Sequence, residues 1–364
     1  MTTVRYSKTA SNEFALTLKE RVNEYFKTNN LSRYGNEKMI VKSVVILLVF
    51  ALPLVLINTG IIASTAALFL CYGLSGLGMA GIGMGIMHDA LHGSYSKNRK
   101  VNKYMGYTMN LIGANATVWK IQHNVLHHTY TNIHEADDDI NAPFFLRFSP
   151  HSKKYWIHRF QYLYAWVFYG LSTLSWLASK DFIRMNRYKK LGFFPDPVVF
   201  NKELAKMIGW KVVYLSFALI LPLIIVPLPF WIILLAFFTM HFITGLLTTL
   251  IFQAAHIVPD TSFPIPDDQG VISNNWSFHQ LATTSNFSPR SKFFSWMVGG
   301  LNYQIEHHLM PNICHVHYRK LAPIVQMTAE EYGIPYHIKK NFAVALWDHI
   351  KMLYMLGRQD ELPS

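Results

Sequence analysis

Thiols are scarce in this chain: there are two cysteines, Cys71 and Cys314, in 364 residues. That excludes a disulfide framework and a cysteine-built structural zinc site, and it suits a reducing, cytosolic setting. Charge is scarce too, at 15% of residues, and it is missing altogether from Ser43 to Met87 and from Val212 to Pro259. Such stretches exclude an ordinary soluble amphipathic helix, which carries charge along one side. A bilayer-spanning helix needs about 20 apolar residues, so each stretch is long enough for two. Each also has a turn near its middle, Asn58-Thr-Gly60 in the first and Pro227-Leu-Pro229 in the second. The expected fold is an all-α integral membrane protein with four transmembrane helices in two hairpins, and a cytosolic helical cap.

Acidic residues are the scarcer sign: 21 Asp and Glu stand against 33 Lys and Arg, for a net charge of +12. Neither hairpin turn carries a Lys or Arg. The positive-inside rule therefore places both termini and the central segment on the cytoplasmic side. The expected organisation is one membrane domain: a cytosolic segment 1–40, a first hairpin 41–87, a cytosolic segment 88–209, a second hairpin 210–256 and a cytosolic tail 257–364. The basic charge suits an anionic leaflet and an acidic electron carrier. It is spread around membrane segments, which makes nucleic acid a poor partner. The polar stretch before the first span does not have the form of a secretory signal.

Along the chain, Phe14, Leu18, Val22 and Tyr25/Phe26 at helical spacing predict an amphipathic helix over 12–28, lying on the membrane or on the cytosolic part. Spans are expected near 41–57, 61–86, 210–226 and 229–255. The second is rich in glycine, from Gly73 to Gly85, and Gly81-xxx-Gly85 suits close helix packing in lipid. Residues 104–118 read as a buried or interfacial helix, 155–179 as an interfacial helix rather than a fifth span, which would put the third histidine cluster on the opposite face, and 192–203, with Pro195 and Pro197, as a loop. Further helices are expected near 293–308, 315–331 and 342–356.

What the chain has in abundance is histidine. Three clusters read His88-Asp-Ala-Leu-His92, His123-Asn-Val-Leu-His127-His128 and Gln304-Ile-Glu-His307-His308, and His256 closes a long apolar run. Neutral imidazole is the commonest metal ligand. On a helix, positions i and i+4 share a face, so His88 and His92 point one way, as do His123 and His127. His128 would lie about 100° further round. All four positions emerge near the same face of the membrane, so they can converge. Isolated His241 and His349 read as structural, and His134, His315 and His317 as structural or surface residues. More than four imidazoles without cysteine argue for two metals with open positions rather than a closed zinc site. Open positions suit dioxygen, and iron is the expected metal. A metal transporter would place polar ligands inside the spans. These sit beyond them.

The ordered set His-xxx-His, His-xxx-His-His and Gln-xx-His-His, with two membrane hairpins, resembles the membrane fatty acid desaturases. Gly299-Gly-Leu-Asn-Tyr-Gln-Ile-Glu-His-His308, followed by Leu309-Met-Pro311, looks like the front-end subgroup, in which Gln replaces the first histidine of the third box. The resemblance runs from the first span to about Val325 and implies a di-iron centre. It would be held by His88, His92, His123, His127, His128, His307 and His308, with His256 in Gln253-Ala-Ala-His256 as the histidine from the last span. Gln304 would bind weakly or through water. The implied reaction uses dioxygen and two electrons to place a cis double bond in an acyl-CoA or acyl-lipid. The alternative is a hydroxylase or other oxygenase on the same scaffold. The His-Pro-Gly-Gly motif of a fused haem domain is absent, so a separate ferredoxin or cytochrome is the expected donor. Ligating imidazoles usually donate their other N–H to a carboxylate or carbonyl. Asp89, Glu306 and the run Asp137-Asp138-Asp139, Asp138 foremost, are candidates for that role. His279 is expected near the site, and Trp119, Trp276 and Tyr303 as walls of an acyl tunnel.

Overall fold

Four helices are long and apolar enough to cross a bilayer: Glu37–Asn58, Thr65–Leu91, Pro197–Ile225 and Phe230–His256. They belong to a computed structural model that describes residues 4–7 and 11–359; parts of the expected terminal segments 1–40 and 257–364 lie outside the described residues. Every span but the last begins or ends well beyond its sequence-based limit. The third starts at Pro197, inside the expected 192–203 loop. There Asp196 accepts the Val198 N–H at 2.7 Å, and Pro197 takes the first helical position. A capping aspartate followed by proline opens a helix as readily as it marks a loop.

The residues gather into two compact units. One comprises 37–121 and 166–249, and so most of the four spans. Its first two spans pack through glycine. A Cβ on Gly78 would collide with the Phe50 backbone, one on Gly81 would lie 3.1 Å from Ile46 Cγ2, and one on Gly85 3.2 Å from Lys42 Cε. Gly76 faces the fourth span instead, where a Cβ would sit 2.7 Å from the Met240 carbonyl oxygen. Gly73 and Gly83 meet only ordinary contact distances. Close packing thus accounts for four of the expected six glycines. Gly76→Ala should destabilise the protein by about 1–3 kcal/mol, the usual cost of overpacking. Gly73→Ala should be tolerated; equal melting temperatures for the two variants in detergent would refute this reading.

Buried polar groups tie this unit's spans together. Asn58 Nδ2 donates to the Phe217 carbonyl at 2.9 Å and Tyr72 Oη to that of Ala218 at 2.8 Å. Lys211 Nζ reaches Asp181 at 2.8 Å and the carbonyls of Trp176 and Gly113. His241 bonds Tyr214 at 2.7 Å and Thr173 at 3.1 Å, as fits a structural histidine. The expected 104–118 helix is broken into Arg99–Gly106, Thr108–Leu111 and Ala116–Lys120. Gly113 adopts φ +85°, and Asn115 caps the last piece through the Val118 N–H at 2.9 Å. The 155–179 region is helical and continues to Lys190.

The other unit comprises residues up to Asn36, 122–165 and those from Leu250 onward. The helix Glu13–Thr28 buries Phe14, Leu18 and Val22 against Leu281, Tyr318, Leu321 and Val325. It therefore packs on the polar part of the chain, one of the two placements expected for it. Two short parallel strand pairs add to the helices: Arg5–Tyr6 with Val271–Ile272, and Ser285–Phe287 with His337–Lys339. The expected 293–308 helix is split into Lys292–Met297 and Gln304–Leu309 by Gly299 and Gly300, both at positive φ. Glycine is needed at 300, where a Cβ would lie 2.8 Å from that of His315.

Candidate metal centre

The second histidine cluster sits on a helix that changes pitch. Ala116–Lys120 is α-helical, Ile121–His127 is π-helical, and His128–Tyr130 closes it. A π turn bonds i to i+5, is rare, and is often found at functional sites. It brings His128 over His123, with their Nε2 atoms 3.3 Å apart, where a regular α-helix would have turned His128 aside. The first cluster follows a second π segment, Ile82–Met87.

The third cluster rides on Gln304–Leu309, which is clamped by a buried polar group. Asn286 accepts the Ile305 N–H at 2.9 Å and donates to Glu306 at 2.8 Å, and Tyr336 donates to the other Glu306 oxygen at 2.8 Å. Glu306, expected to face an imidazole, thus meets Asn286 and Tyr336. Burial pushes its carboxyl up to about 7, against the pull of these two bonds. Gln304 is buried at the start of the same helix, one turn before His308.

Within this unit the imidazoles gather into two trios that share a member. One is His127, His256 and His308, the other His128, His307 and His308; in each, one nitrogen per ring lies within 4.8 Å of the others. The Nε2 atoms of His128 and His307 are 3.0 Å apart. Bonds of about 2.1 Å from nitrogen to a divalent metal put ligand atoms at 90–109° about 3.0–3.4 Å apart, so these spacings fit a shared metal. The Nε2 atoms of His127 and His256 are buried without a hydrogen-bond partner among the described residues. Burying an unmet polar atom is costly, and a metal would satisfy both.

The outer nitrogens of His123, His127, His256, His307 and His308 face partners, an arrangement that favours the inner ones as lone-pair donors. His127 Nδ1 faces both oxygens of Asp137, at 3.0 and 3.1 Å, and His256 Nδ1 the Thr283 carbonyl at 3.1 Å. His308 Nδ1 faces Gln280 Oε1 at 2.8 Å, His307 Nδ1 the Tyr318 hydroxyl at 3.3 Å, and His123 Nδ1 Asp139 at 3.3 Å. Two carboxylates of the aspartate run therefore meet the rings: Asp137 and Asp139. Asp137 Oδ1 accepts the Asp139 N–H at 2.9 Å, and this turn aims the flanking carboxylates together. Asp138, the residue expected in that role, is buried between them in sequence. Gln280, Thr283 and Tyr318 were not legible as partners. Neutral acceptors have no spacing rule; the only trace was the polar stretch Asn274-Asn-Trp-Ser-Phe-His279-Gln280.

His279 donates through Nε2 to the Thr131 carbonyl at 2.8 Å, and burial lowers its basicity to about 4. Trp276 Nε1 donates to the His128 carbonyl at 3.0 Å. Tyr303 lies in the core with Phe14 and Ile305, its hydroxyl on the Pro289 carbonyl at 2.6 Å; these are the surroundings of a packing residue. In the span-bearing unit, the rings of His88 and His92 lie 4.8 Å apart, each against Trp119 at 5.6 and 5.9 Å. Asp89 is buried, 3.9 Å from His88 Nδ1.

Comparison with known proteins agrees with this chemistry. Residues 63–340 match the family described as fatty acid desaturase. An sn-1 linoleoyl-lipid 6-desaturase of Synechocystis sp. is 31% identical, over 98% of this chain and 99% of its own. An acyl-lipid (8-3)-desaturase of Physcomitrium patens is 34% identical, over 98% of this chain and 74% of its own. An sn-1 linoleoyl-lipid 6-desaturase of Arthrospira platensis is 34% identical, over 92% and 89%.

Proposed function

We propose, because this chain belongs to the fatty acid desaturase family, that it is a front-end acyl-lipid desaturase working at a di-iron centre. As a family member it is an integral membrane, oxygen-dependent oxidoreductase acting on fatty acyl chains. The finer reading is that it inserts a cis double bond between an existing one and the carboxyl end of a lipid-bound acyl chain. The names of its relatives support the lipid-bound substrate and the side of insertion. The two histidine trios, with the unmet Nε2 atoms of His127 and His256, carry the metal assignment.

The proposed iron ligands are His123, His127, His128, His256, His307 and His308, with His88 and His92 added by the sequence pattern, and Gln304 as a weak or water-mediated one. Bound iron supplies the oxidising power for breaking unactivated C–H bonds. The overall change converts –CH2–CH2–, dioxygen, two electrons and two protons into –CH=CH– and two waters. The protein's own share is positional. Asp137, Asp139, Gln280, Thr283 and Tyr318 hold the rings so that inner nitrogens face inward. Neutral imidazoles leave the metals more positive than carboxylate ligands would. The active side is cytoplasmic on the positive-inside argument. The net charge of +12 favours an acidic one-electron carrier, a ferredoxin or a cytochrome, as donor.

Expression in a host without front-end desaturation, fed di-unsaturated acids, tests the reading by gas chromatography and mass spectrometry of lipid classes. The expected product carries a new cis bond on the carboxyl side, first in the lipid fraction, and disappears in His307→Ala. A hydroxylated product would move the assignment to the oxygenase reading. A product bond on the methyl side, or one formed only on the thioester, would overturn the front-end or the acyl-lipid part.

A further inference from the structure

We propose that a collar of three side chains, Tyr6, Trp276 and His279, positions the second histidine box, and that Tyr6 brings the N-terminal strand into the scaffold of the centre. This rests on the reading of His123, His127 and His128 as iron ligands.

The helix carrying that box ends at Tyr130, and a helix end leaves its last carbonyls without intrahelical donors. Here each is met. The His127 carbonyl accepts Thr131 Oγ1 at 2.8 Å and that of Tyr130 the Ile133 N–H at 2.9 Å. The three others take side chains from distant sequence: His128 the Trp276 indole N–H, Thr129 the Tyr6 hydroxyl, and Thr131 the His279 ring. Tyr6 and His279 brace each other edge to face, 5.2 Å between ring centres. Tyr6 is itself held in register, since Arg5 N–H donates to the Gly270 carbonyl and Ser7 N–H to that of Ile272, both at 2.9 Å. Of the carbonyls so held, one is that of His128 and the other two lie within three residues after it. A small rotation of this turn would swing the His127 and His128 rings out of line.

None of the three side chains touches a reacting atom, so their role is positioning. The test uses the full-length protein in lipid nanodiscs, loaded with ferrous iron, with release to a chelator as the readout. Tyr6→Phe removes one hydroxyl and keeps the ring on His279; Trp276→Phe removes the adjacent donor and covers the case of Tyr6→Phe failing to fold. Each should speed iron release about tenfold, as loss of a ligand's support commonly does. Turnover should fall with KM unchanged. Thr17→Ala breaks a 2.7 Å bond to Tyr332 elsewhere in the same unit and serves as the stability control. Its release rate should match the wild type. Wild-type release from the folded Tyr6→Phe and Trp276→Phe variants would overturn the proposal, as would equally fast release from Thr17→Ala. His307→Ala tests the ligand reading separately, because a variant that keeps its full iron would sink that reading whatever Tyr6 does.

Discussion

His308→Ala should lower bound iron further than His256→Ala does, and both should take desaturation below detection. The difference follows from membership. His308 is the one ring common to both trios, while His256 belongs to the first alone. His308 also lies between the rings of His128 and His256, 4.4 and 4.8 Å from their centres. With Nδ1 on Gln280, its other nitrogen can bind one metal only, so its removal costs one metal a ligand and leaves a void beside the rings of both trios. Iron per protein, measured by inductively coupled plasma mass spectrometry, should fall in both variants, and further in His308→Ala. Both variants should lose activity, since both metals are needed. Equal iron in the two variants would show that the void left at His308 does not reach the second trio.

The second large effect is expected at Asp137. Its carboxylate is fully buried and accepts three donors: His127 Nδ1, the Asn132 N–H at 2.9 Å and the Asp139 N–H at 2.9 Å. Asp137→Asn keeps the shape but offers one acceptor oxygen in place of two and loses the charge. Iron affinity should drop roughly 10–100-fold, the usual cost of removing the partner that orients a ligating histidine. Asp137→Ala should do the same and also unfold more easily. It strands the buried Asn132 N–H, worth about 1–3 kcal/mol, and the half-buried Asp139 N–H. Competitive chelation and thermal unfolding separate the two effects. If Asp137→Asn bound iron like the wild type, Asp137 would be a folding residue rather than a support for His127.

The sequence was legible where an absence or a period carried the information. Missing charge from Ser43 to Met87 and Val212 to Pro259 is enough to predict four spans, because lipid admits little else. The third span's start was not legible. Asp196 and Pro197 serve equally as a turn and as a helix cap, and only the 2.7 Å bond to Val198 decides between them. The histidines were legible by their spacing. His128 was the exception, since i+5 neighbours face each other only on a π turn, which composition does not announce. The aspartate run was visible as a run, but not that Asp137 would meet His127 and Asp139 His123, an arrangement the turn closed by Asp137 and the Asp139 N–H makes. Glu306 stands beside His307 in sequence yet packs with Asn286 and Tyr336, because adjacent residues on a helix point in different directions.

The π segment at Ile121–His127 has a further meaning for chain length. Such a turn is equivalent to an ordinary helix into which one residue has been inserted without expelling it as a bulge. Deleting a residue there would let the helix relax to regular pitch and would re-aim everything after it. A His-xxx-His-His string copied onto a straight designed helix would likewise present its third ring to the wrong side. Here the motif works as a count of residues as much as a choice of them, so an alignment that closes a one-residue gap inside it would hide a broken site.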